Sequence, residues 1–207
     1  SFMRYKNVPA DPVGIAAGIL TDFATSKPVN FARVRVLPED RVYVGDGYNN
    51  GFFAFDSLGL GPHTLRFETP GYRTDSVEVF LNSDGPVFVD RTVEMAGPPA
   101  VLLSTPVQGD TAYMPNGWIA LTFTKAMDTA SVRPAFSIAP SVPGRLQWSA
   151  TNALSFIPDT VLPMGVWLSV RVDSSARSAA GEQLDGNADG TAGDPYVLNF
   201  KTRVADV

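Results

Sequence analysis

The sequence predicts an all-β chain: two antiparallel β-sandwich domains in tandem, residues 1–96 and 97–207. Three observations carry this. Short stretches alternate apolar and polar residues with the two-residue period of a pleated strand, and turn signals interrupt them roughly every 8–12 positions. Gly (18) and Pro (17) are abundant, while long runs of helix formers are missing. The step Gly97-Pro98-Pro99 then divides the chain, because proline donates no ladder hydrogen bond and Pro-Pro is stiff and extended. It reads as a short, semi-rigid linker.

In the first half, "VGIAAGIL" (13–20) leads into a turn at "TDFATSKP". "VNFARVRV" places Ala32, Val34 and Val36 on one face and Phe31, Arg33 and Arg35 on the other. "RVYV" runs to Asn50-Gly51, the strongest short-range hairpin signal in the chain. Phe53 and Phe55 follow on one face, then His63, Leu65 and Phe67, then Val77, Val79 and Leu81; "PVFVDRTVEM" closes the half. In the second half the strand candidates are "AVLLSTP", "GWIALTFT", "AFSIAP", "GRLQWSA", "ALSFIPD", "WLSVRV" and "YVLNFKT". Only "KAMDTASVRPAF" has room for a helical turn or two.

Composition bounds the function. Hydrophobic residues make up 44% and charged residues 18%, as in globular chains. A net charge of −5 with scattered basic residues argues against nucleic acid, whose phosphates need clustered Lys and Arg. Cysteine is absent, so neither disulfides nor thiolate metal sites are available. No apolar stretch approaches the ~20 residues needed to span a bilayer. "SFMRYKNVPADP" lacks the apolar segment of a signal peptide, and both ends read as cuts from a longer chain.

The clearest candidate site is "LDGNADGTAGDPY" (184–196). On calcium-loop spacing Asp185, Asn187 and Asp189 take alternate ligand positions, Gly190 supplies the sharp turn and Thr191 a backbone carbonyl. A bidentate Glu should stand where Tyr196 is, and Asp194 offers a carboxylate two positions earlier. The flanks are strand-like, which excludes an EF-hand and leaves a structural calcium in a β-hairpin loop. The other reading is a plain turn, since Asp, Asn and Gly are the best turn formers. Asp46, Asn49 and Asn50 pose the same choice on a smaller scale. His63, in phase with Leu65 and Phe67, reads as a packed core histidine rather than a base. Glu39, Asp40, Asp56, Glu68, Asp75 and Glu78 fall in turns or on polar strand phases, and none forms an obvious acid–base pair. Trp118, Trp148, Trp167 and Tyr113 are candidates for a sugar-stacking platform, Trp118 as an exposed residue and the other two tryptophans as core or rim.

Two resemblances add to this. Pro28, Ala32 and Val34, then Gly51, Phe53, Phe55, Leu58, Gly61, His63, Leu65 and Phe67, ending at Gly71-Tyr72, resemble the carboxypeptidase regulatory-like domain, a small prealbumin-like sandwich. His63 departs from that pattern, which usually has Tyr or another large side chain there. Phe123, Lys125, Met127 and Asp128, then Val132, Phe136, Pro140, Phe156, Pro158, Leu162 and Gly165, resemble the bacterial Ig-like domains typified by surface-layer proteins, including the variant with an Asp-rich hairpin before the last strand. These resemblances imply a non-catalytic region of a larger exported or surface-anchored bacterial protein, which spaces or displays other domains of the same polypeptide. The alternative is an accessory module that binds cell-wall glycan or polysaccharide for an attached hydrolase, such as a peptidoglycan amidase, a glycosidase or a peptidase.

Overall fold

Strands form where the alternation puts branched and aromatic side chains on one face. The computed structural model describes residues 13–48 and 50–204; the first twelve residues, Asn49 and the last three lie outside the described residues. The chain divides into two units, Ser1–Val93 and Glu94–Val207. Each has its own buried core, and the described residues are mostly β with one short helix, consistent with two β-sandwich domains.

Among the described residues the first unit has eight strands: β1 (Gly14–Asp22), β2 (Arg33–Leu37), β3 (Arg41–Val44), β4 (Phe52–Leu58), β5 (Gly61–Phe67), β6 (Asp75–Leu81), β7 (Val87–Phe88) and β8 (Arg91–Val93). One sheet is ordered β4-β1-β7, with β8 also on β1, and the other β3-β2-β5-β6. The inward phases, Val34 and Val36, Phe53 and Phe55, Leu65 and Phe67, are the ones the alternation predicts, and they form one cluster with Leu20 and Leu58. The Phe53 and Phe67 rings meet edge-on at 5.8 Å.

Asn50-Gly51 corrects an expectation. Both residues have positive φ, 47° and 78°, as the turn chemistry demands. They do not join a hairpin, however. β3 pairs with β2 and β4 with β1, so the turn carries the chain from one sheet to the other. Only glycine fits at 51, because a Cβ there would lie 2.2 Å from the Leu20 carbonyl oxygen.

The second unit has seven strands: β9 (Val101–Thr105), β10 (Ile119–Phe123), β11 (Phe136–Ala139), β12 (Gly144–Ala150), β13 (Ala153–Pro158), β14 (Trp167–Val172) and β15 (Tyr196–Lys201). The sheets are β12-β13-β10-β9 and β11-β14-β15. Ile119, Leu121 and Phe123 face Leu168, Val170, Leu198 and Phe200 in one buried cluster. The helical turns expected near "TASVRPA" are α1 (Thr129–Ala135), whose N-cap Asp128 accepts a hydrogen bond from the Ala130 N–H at 3.0 Å. No helix among the described residues is long and apolar enough to cross a membrane.

Candidate functional site

The long connection between β14 and β15 carries the Asp-rich loop, and the structure brings Asp185, Asn187, Asp189 and Asp194 together. Asp185 is buried and both of its oxygens accept backbone hydrogens, Oδ1 from Asp189 (3.2 Å) and Oδ2 from Gly190 (2.8 Å). Asn187 Oδ1 accepts from the Asp189 N–H at 3.0 Å, and Asp189 Oδ1 from the Thr191 N–H at 2.8 Å. The Asn187 amide nitrogen donates to Asp189 (3.1 Å) and to Asp194 (3.3 Å). Amide hydrogens thus stand between the carboxylates, where calcium coordination would place a cation. The Thr191 N–H bond holds the Asp189 carboxyl below the usual range, aided by Asn187. Among the described residues, no group of three or more His, Cys, Asp or Glu is arranged to hold a metal ion. The five predicted ligands, Asp185, Asn187, Asp189, Thr191 and Asp194, are thus gathered in one loop and joined by Asx-type hydrogen bonds.

The loop has a second role that sequence reasoning missed. The Asp185 N–H donates to the Pro99 carbonyl at 2.8 Å, so the Asp-rich loop grips the segment that opens the unit. Ala100 is bound there twice by Thr124: its N–H donates to Thr124 Oγ1 at 3.0 Å and its carbonyl accepts the Thr124 N–H at 2.9 Å. Next to it Lys125, only 2% exposed, donates through Nζ to the Gly97 carbonyl and to Glu182 Oε2, the latter at 2.9 Å. Gly97–Ala100 is therefore fastened to the body of the second unit. One sequence signal pointed here: Lys125 follows Phe123 in the inward phase, and a buried cation requires a partner.

The far end is fastened as well. Residues 108–113 run alongside β15, with Tyr113 and Thr202 in a parallel bridge. Gly109 donates to the Asn199 carbonyl (2.7 Å), Lys201 to Asp110 (2.6 Å), Tyr113 to Lys201 (3.1 Å) and Arg203 to Tyr113 (3.0 Å). The Asn199 N–H completes the series on the Gln108 side chain at 2.8 Å.

The remaining candidates are placed as follows. His63 is buried, as its phase predicts; Nε2 meets Glu39 Oε1 at 2.7 Å and Nδ1 the Gly61 carbonyl at 3.1 Å. Asp40 is paired with Arg35, Asp56 with Arg41, Glu68 with Arg35 and Asp75 with Arg91. Asp46 accepts the Tyr48 N–H at 2.8 Å, a turn contact. Asn49 lies outside the described residues. Trp118 is exposed as expected, at 59%, and Trp148 stacks on Phe123 with centroids 6.1 Å apart. Trp167 corrects its expectation: Leu168, Val170 and Val172 take the inward phase, leaving Trp167 on the outside at 52% exposure.

A family model described as Bacterial Ig-like domain matches residues 96–202. No curated protein matches by sequence. Among solved structures, Mycobacterium tuberculosis L,D-transpeptidase 1 is similar at 19% identity over 51% of this chain and 39% of its own, with a TM-score of 0.33. A proposed carbohydrate-binding protein from Bacteroides uniformis is similar at 13% identity over 93% of this chain and 100% of its own, TM-score 0.35. The major pilin subunit of Bacillus cereus is similar at 10% identity over 92% of this chain and 69% of its own, TM-score 0.37. The chain spans about two fifths of the length of the transpeptidase chains it matches. The family match covers just over half of the chain and nearly all of the second unit, and the protein belongs to the bacterial Ig-like domain family.

Proposed function

We propose that the chain is a non-catalytic structural module that spaces or displays neighbouring domains of a larger exported bacterial protein, its first unit a carboxypeptidase-regulatory-like sandwich. The observation that carries this reading is the parallel pairing of residues 108–113 with β15. These segments lie toward opposite ends of the Ig-like unit. Opposed pulls on parallel neighbours load their hydrogen bonds together in shear, instead of opening them one at a time. Lys125 and Asp185 add a second fastening at the entry segment. For the first unit, support comes from the inward placement of Phe53, Phe55, Leu58, Leu65 and Phe67, the residues on which its family resemblance rests.

Amide hydrogen exchange tests the reading. The N–H groups of Gly109, Tyr113, Lys201 and Arg203 should exchange only through global unfolding of the unit, with the same free energy as its core strands. Exchange through local opening several kcal/mol below the global value would reject a spacer built on this clamp.

A further inference from the structure

The outer face of the sheet β12-β13-β10-β9 carries a feature that the spacer role leaves unused. Two hollows of about 330 and 170 Å³ share Trp118 and Ile157 as a common wall. The larger is closed by Asn116 and Asp159, the smaller by Gln147, Ser149 and Ser155. Ser155 in the floor of the smaller hollow is short, and so is its cross-strand neighbour Ala120. The combined size falls in the lower part of the roughly 300–1,000 Å³ typical of small-ligand sites.

Trp118 is held ready for contact. The Tyr113 hydroxyl donates to the Trp118 carbonyl, and the Tyr113 ring is itself packed edge-on against buried Phe200 at 5.4 Å. Residue 117 must be glycine for this, since a Cβ would lie 2.6 Å from the Tyr113 hydroxyl oxygen. The indole is thus an exposed aromatic plane on a fixed backbone, which lowers the ordering cost of binding.

The polar groups around it are neutral and unspent. Among the described residues, the side chains of Gln147, Ser149 and Ser155 hydrogen-bond to no other residue. Asp159, the one charged residue in the lining, sits 3.7 Å from Arg145, which balances it. Such a surface suits neither phosphate nor a charged peptide. It suits a ligand with one flat apolar face and an edge of uncharged hydroxyls. A gluco-configured pyranose has that form: its equatorial hydroxyls leave the axial C–H faces free to stack on an indole.

We propose that this trough binds a neutral glycan of gluco-configured rings, with Trp118 as the stacking platform and Gln147, Ser149 and Ser155 as hydrogen-bonding partners of its hydroxyls. The inference goes beyond the spacer role and does not depend on it. The test is calorimetric titration of the full chain with cellohexaose and with N-acetylchitohexaose. At least one should bind. Trp118→Ala should weaken binding at least about tenfold, as loss of a central aromatic anchor does. Gln147→Ala, an exposed change that leaves the core intact, should weaken it several-fold, and Trp167→Ala, on the other sheet, should leave it unchanged. No binding of either oligosaccharide overturns the proposal, as does equal binding by the Trp118→Ala chain. So would a concentration-dependent dimer that Trp118→Ala abolishes, because the face would then belong to a second copy.

Discussion

At the scale of the residue, a substantial polar contribution is expected from Lys125. Replacing it with Met keeps the stem volume but removes the Nζ donor from the Gly97 carbonyl and from the Glu182 carboxylate. Glu182 is partly solvated (side chain 31% exposed), so the loss should be about 2 kcal/mol, below the 3–5 seen for fully buried pairs. A change under ~0.5 kcal/mol in urea unfolding would show that the contact is incidental. Two glycines make a second comparison. Gly51→Ala meets both a positive φ and the Leu20 carbonyl, and should cost more than about 3 kcal/mol. Gly190→Ala keeps a positive φ but meets no atom within 4 Å, and should cost about 1 kcal/mol. Equal losses would contradict the close approach at Gly51. Buried positions were legible at this scale because phase alone assigns them: His63 shares the inward phase with Leu65 and Phe67. Its partner Glu39 was not legible, since it lies 24 residues earlier in a turn and only the packed sheet brings the two together.

At the scale of the element, strand existence followed from alternation, whereas strand partners did not. Asn50-Gly51 specifies a left-handed turn, and nothing local says whether the strands it joins will pair. Residues 108–113 have no alternating pattern at all; their pairing with β15 is set by the closure of the sandwich. The Asp-rich loop shows the same limit. Its residue types fit either calcium or a turn, and spacing alone does not show the amide hydrogen bonds that join them. Because those amides already meet the carboxylates, the melting temperature should be the same in excess calcium and in chelator. A rise of several degrees with calcium, lost in Asp185→Asn, would show that the ion rebuilds the loop. Acid should matter more. Arg91 holds the Asp75 carboxyl low, and the backbone N–H groups of Ser175 and Thr191 do the same for Asp173 and Asp189. A depressed folded-state pKa means that the unfolded chain binds more protons. The associated stability is therefore full above about pH 4 and is lost as pH falls through the lower folded values. Urea midpoints should stay level from roughly pH 6 to 8 and drop at pH 3, and a midpoint that climbs on acidification would reverse the sign of these shifts.

For the molecule as a whole, the β-sandwich architecture was legible because strand alternation and turn spacing are written in local residues. The parallel pairing of residues 108–113 with β15 was not, because it depends on which segments lie side by side and in which direction they run. The spacer reading stands or falls on the Ig-like unit behaving as one clamped body under load. Single-molecule extension of the unit, residues 94–207, held by its two ends, addresses this directly. The expected trace is one all-or-none rupture, with Lys125→Met lowering the rupture force. Early, low-force release of the entry segment or of β15, with the sandwich still folded and the force unchanged by Lys125→Met, would contradict it.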